Sequence, residues 1–130
     1  MTPEIEEFAK RLVEFVRDAS IRSNDVGLRS TAVGPVAERW KRAARDETPT
    51  EFARVVIPDI VDDTVFYLLH AIDEGGLPLT FTASNGKAVD LTTEGGSELA
   101  GWYMGSDGWR GTYSKERFVD DFSDLRSDDS

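Results

Sequence analysis

The hydrophobic pattern of this chain changes period at Gly75-Gly76. Before that pair, apolar residues recur every three or four positions, as along one face of a helix. After it, Leu77-Pro78-Leu79-Thr80-Phe81-Thr82-Ala83 alternates, as a half-buried strand does. A chain with helices first and strands afterwards is expected to be α+β, with helices packed on one face of a small sheet.

The helical half carries its own punctuation. Thr2-Pro3-Glu4 opens a helix with a capping Thr, a Pro at the first helical position and acids in the first turn. Ile5, Phe8, Ala9, Leu12, Val16 and Ala19 share its apolar face, and the helix should fade near Ser20. Ser23-Asn24-Asp25-Val26-Gly27 reads as loop. A second helix is expected from Pro35 to Arg45, with Trp40 inside and Arg39, Lys41, Arg42 and Arg45 on the other face. Thr48-Pro49-Thr50-Glu51 is a capping box that starts a third. Pro58 should break or kink it, since proline lacks the donor of a helix interior. A long helical segment then continues to Glu74.

In the alternating half, the register can be argued. A two-residue turn at Asn85-Gly86 would put Asp90 opposite Phe81. A three-residue loop Ser84-Asn85-Gly86, with Gly86 left-handed, pairs Phe81 with Val89 and Leu79 with Leu91. The second register keeps apolar partners together and is the one expected. Leu99–Met104 reads as a third strand, Asp107-Gly108 as a turn and Trp109–Tyr113 as a fourth strand. Tyr103 and Arg110 then point away from the buried face and should be exposed. Ser114 should cap a last helix bearing Phe118, Val119, Phe122 and Leu125. The expected architecture is N-terminal helices packed on a four-stranded antiparallel meander, closed by a C-terminal helix. At 130 residues this is one domain, 1–125, with residues 126–130 a flexible acidic tail.

Charge narrows the function. Residues 1–47 balance nine acids with nine bases, whereas Ile57 to Asp107 holds nine acids and one base, Lys87. The net charge of −10 therefore comes from the second part. Such a field repels nucleic acid and anionic membranes and attracts basic partners. The absence of cysteine excludes disulfides, thiolate metal sites and a cysteine nucleophile, and suits a cytoplasmic setting. No apolar run approaches a membrane span, and the acidic Met1 to Glu7 is no signal peptide. No phosphate loop, nucleophile elbow or metal-ligand spacing is present, so no cofactor, metal or catalytic residue is expected.

The segment Pro58 to Glu74 concentrates the remaining interest. Val61, Val65, Leu68, Leu69 and Ile72 form one stripe, while Asp59, Asp63, Phe66, Tyr67, His70 and Glu74 lie opposite. If that second face is covered, the helix is buried on two sides and its acids are internal ion pairs. If it is exposed, it is a docking face with aromatic anchors. The expectation is a small acidic protein-binding module, most concretely an immunity-type inhibitor that occludes a basic, nuclease-like toxin. Its contacts would be Asp59, Asp62, Asp63, Asp73, Glu74 and Asp90, with Tyr67, His70, Tyr103 and Trp109. The alternatives are a small-ligand binder or enzyme using His70 with Asp59 and Asp63, and an accessory subunit, monomeric or homodimeric, whose acids only confer solubility.

Overall fold

The structure, a computed structural model, describes residues 1–122. Leu125, the boundary at residue 125 and the tail 126–130 lie outside the described residues.

Helix α1 (Pro3–Leu12) begins where the sequence places it, with Thr2 Oγ1 accepting from the Ile5 amide at 3.2 Å. It does not fade at Ser20. A π-helical stretch (Val13–Asp18) leads into α2 (Ala19–Gly27), so the expected loop at 23–27 is helical. Asn24 is held there by donating to the Ser20 carbonyl and to Asp63. Gly27 lets α2 approach α3 (Pro35–Asp46), for a Cβ at that position would stand 3.2 Å from the Trp40 ring.

Helix α4 (Pro49–Asp73) is capped by Thr48 as the capping box requires, and it runs through Pro58 unbroken. Proline removes the amide that would have bonded to the Arg54 carbonyl. That carbonyl instead accepts from Arg117 Nη2 at 2.9 Å, so a side chain from far along the sequence fills the gap. Helix α4 lies between the N-terminal helices on one side and the C-terminal elements on the other. Val16, Ala71 and Leu77 form a core cluster, with Tyr67, Leu68 and Leu79 packed on it.

The hairpin has the expected register. Strand β1 (Thr80–Thr82) pairs antiparallel with β2 (Ala88–Asp90), Phe81 opposite Val89. Leu91 N donates to Leu79 O at 2.9 Å, and Gly86 is left-handed at φ +88°. The rest of the meander is absent. Leu99–Met104 is helix α6 and Trp109–Tyr113 is helix α7, preceded by the one-turn α5 (Leu91–Glu94). The sheet therefore has two strands, and the molecule is mainly helical with a small hairpin rather than helices on a four-stranded sheet. No helix forms over the described part of the expected closing helix, residues 114–122.

A distant carboxylate accounts for the misread third strand. Asp73, at the end of α4, accepts from the Leu99 and Ala100 amides at 3.1 and 3.0 Å. It thus satisfies two of the unpaired amides at the start of α6. Residues 99–104 contain no charged side chain, and the Trp102 N–H and the Tyr103 hydroxyl are their only strong polar groups, so their periodicity cannot separate helix from strand. Asp73→Ala is expected to cost about 2–3 kcal/mol by leaving two buried amides unpaired. Hydrogen exchange at Leu99 and Ala100 should accelerate relative to the core of α4. Unchanged protection there would show that α6 does not depend on this cap.

Candidate functional site

Around α4 the burial pattern inverts along the helix. In its second half the apolar side is covered, with Ala71 and Ile72 buried and His70 and Glu74 outside. Around its middle Asp59, Asp62 and Asp63 turn inward, whereas Ile57 and Val61 are 50% and 53% exposed. The reason is the set of partners that α2, α3, α6 and α7 present there.

Three polar clusters result. Asp59 accepts from Arg39 Nη2 at 2.8 Å and from Trp40 Nε1 at 2.8 Å. Arg39 also grips Asp121 through both terminal nitrogens at 3.0 Å, so one guanidinium joins α3, α4 and the C-terminal segment. Its pKa is held above the ordinary range, first by the Asp121 hydrogen bond and further by Asp59, against the opposing effect of burial. Asp62 accepts from Tyr103 Oη and from Arg110 Nη1, both at 2.7 Å. Arg110 is 7% exposed, donates also to the Met104 carbonyl at 3.0 Å, and lies over the Phe118 ring at 4.7 Å. Burial first, then the bond to Asp62, pushes the Tyr103 phenol above its usual pKa.

Asp63 forms the third cluster with Ser20 Oγ at 3.4 Å and Asn24 Nδ2 at 3.1 Å, and Ser20 also meets Thr64 Oγ1 at 2.9 Å. These partners carry no charge. Burial raises the Asp63 pKa, and the hydrogen bonds from Ser23, Ser20 and Asn24 only partly offset it. An acid whose folded pKa is raised favours the fold most when protonated. Its contribution is full below the ordinary value of 3.8 and is lost as pH climbs to the raised value. Asp63→Asn should therefore gain stability relative to the parent as pH rises out of the acid range. Urea midpoints across pH would show it, and parallel curves for the two proteins would refute it.

The residues singled out in the sequence thus separate. Asp59, Asp62, Asp63 and Asp73 are engaged inside the fold. Tyr67 is half-buried against the core cluster, and Tyr103 is half-buried at the Asp62 cluster. Arg110, expected to be exposed, is buried. Trp109 is half-buried beside Trp102, ring centroids 6.2 Å apart. His70, Glu74 and Asp90 remain exposed. His70 stacks on Phe66 at 5.6 Å and makes no hydrogen bond to Asp59 or Asp63. Asp90 caps α5, accepting from Thr92 N and Thr93 N at 3.0 and 3.2 Å. Among the described residues no group of three His, Asp or Glu side chains is placed to hold a metal, and no helix is long and apolar enough to cross a membrane.

Of the nine acids between Ile57 and Asp107, four face inward and five are exposed: Glu74, Asp90, Glu94, Glu98 and Asp107. The Asp73 cap joins the start of α6, which Glu98 precedes, to the end of α4, which Glu74 follows. Trp102 stands one turn from Glu98 on α6 and is 44% exposed. Sequence reasoning missed Glu94, Glu98 and Trp102. The acidic excess was their signal, but only the helical state of 99–104 brings Trp102 within one turn of Glu98. A groove of about 690 Å³ also opens between Ile57, Val61, Val65 and Leu69 of α4 and the segment from Trp109 to Phe118, with Tyr103 and Arg110 at its wall. Comparison with protein-family models, with curated proteins and with solved structures finds no match to this chain.

Proposed function

We propose that this protein is a protein-binding module that docks a basic partner through the corner where α4 meets α6. An immunity-type inhibitor occluding a basic, nuclease-like toxin in the cytoplasm is its most concrete form. The observation that carries this reading is four of the five exposed acids left once the inward carboxylates are set aside, Glu74, Asp90, Glu94 and Glu98, with the exposed Trp102 one turn from Glu98. Lys87 is the one base in the whole stretch from Ile57 to Asp107. Acids of one sign steer a basic surface into encounter, and an aromatic beside them supplies a desolvated anchor. The same field disfavours nucleic acid and anionic membranes as partners.

The test is capture of the partner from the native host by the wild-type protein and by the triple variant E74K/E94K/E98K, at low and raised salt. A basic protein should be retained by the wild type, and its association rate should fall at least tenfold on triple reversal and steeply with salt. Retention that ignores both changes, or a partner that is not basic, overturns the proposal.

A further inference from the structure

Helix α1 is amphipathic yet buries none of its residues. Ile5, Phe8 and Leu12 are 52%, 42% and 36% exposed. The helix is moored at its end, where Arg11 Nη1 donates to the Gly76 carbonyl at 2.8 Å and, just beyond it, the Phe15 ring lies against Gly76. The apolar face continues beyond α1 into a groove of about 430 Å³ whose walls include Leu12, Ile21, Leu28 and Ile60. Apolar surface this continuous marks a contact.

The charges on either side of the stripe say what covers it. At about 100° per residue, Ile5 and Leu12 sit at its centre with Phe8 beside them. Glu6 and Lys10 border one side, and Glu4 and Arg11 the other. On each border the acid precedes the base. A second α1 laid parallel would set the Glu6–Lys10 border on the other copy's Glu4–Arg11 border, acid on acid at Glu6 and Glu4 and base on base at Lys10 and Arg11. Laid antiparallel about a twofold axis at Phe8, it sets Glu6 on Lys10 and Glu4 on Arg11 along the two borders, with Ile5 on Leu12 between them. Apolar and charged pairings thus agree on one register. A twofold contact repeats each of these pairs and closes on itself.

We propose that the occupant of this face is a second copy of the chain, packed antiparallel along α1 with Phe8 at the twofold axis. Ile5 of the second copy then reaches the mouth of the Leu12–Ile60 groove. This surface shares no residue with the acidic corner at Glu74, Glu98 and Trp102. The dimer can therefore fail without touching the docking proposal, and the reverse.

Sedimentation equilibrium of the full chain over about three decades of concentration reads the result directly. The mass should rise from that of the 14.4 kDa chain to twice that value. Phe8→Glu should weaken association at least tenfold. Glu6→Lys or Lys10→Glu alone should also weaken it at least tenfold, because each sets like charges together. The double exchange E6K/K10E should restore it, and circular dichroism should show these exposed variants folded. Three outcomes would overturn the proposal: a monomer at every concentration, a dimer indifferent to Phe8→Glu and Glu6→Lys, or a double exchange that fails to recover association.

Discussion

Replacing Arg110 with Met should cost about 3–5 kcal/mol, because it strands the buried Asp62 carboxylate without its cation. Their contact is 2.7 Å, and the two side chains are 7% and 12% exposed. Water is thus poorly placed to screen the charge left behind. The effect would approach the whole stability of a small domain, commonly about 5–15 kcal/mol. Methionine keeps an unbranched apolar chain against Phe118, so the loss reports the charge more than the packing. Tyr103→Phe removes only one neutral donor to the same carboxylate and should cost about 1–2 kcal/mol. Urea unfolding of both variants checks the ranking. An Arg110→Met protein as stable as its parent would mean that Asp62 is not held as described.

Trp40→Ala should be the other severe change, at about 3–5 kcal/mol. Trp40 is 2% exposed, fills the space between α2 and α4, and donates through Nε1 to Asp59. Truncation opens a cavity under Gly27 and takes a hydrogen bond from a carboxylate that Arg39 alone must then satisfy on this side. Trp40→Phe keeps much of the ring and should lose clearly less. Equal losses for Phe and Ala would place the energetic weight on the indole N–H rather than on packing.

Both predictions fall on residues that the sequence treated differently. Trp40 was legible as core, since it lies on the apolar side of a helix whose start at Pro35 was also legible. The caps at Thr2 and Thr48 were legible too, because their signals are confined to four residues. So was the hairpin register, although Phe81 is 58% exposed and a buried face cannot be what fixes it. The three-residue loop is the local feature that does so, with Gly86 left-handed and Asn85 Oδ1 accepting from the Lys87 amide.

What escaped was every feature whose cause lies far along the chain. Helix α6 starts on a carboxylate 26 residues earlier. Helix α4 survives Pro58 with the help of Arg117, 63 residues beyond Arg54. Helical periodicity correctly grouped Asp59, Asp63 and Tyr67 on one side of α4. It could not say that α2 and α3 would cover that side, or that Ile57 and Val61 would be left outside. Arg110 was misplaced for the same reason, because its orientation followed from a strand that does not form. The acidic character of the chain survives this revision in reduced form, moved from the middle of α4 to its C-terminal corner.

The central claim is that Asp59, Asp62, Asp63 and Asp73 are internal fasteners, so that a partner is met by exposed acids such as Glu74, Asp90, Glu94 and Glu98. A double-mutant cycle on Asp62 and Arg110, read by urea unfolding, tests it most directly. Asp62→Leu and Arg110→Met should each be strongly destabilising, and the double variant should recover most of the loss, giving a coupling of about 2 kcal/mol or more. Losses that simply add, to within about 0.5 kcal/mol, would show that the two groups do not depend on each other and would return Asp62 to the surface.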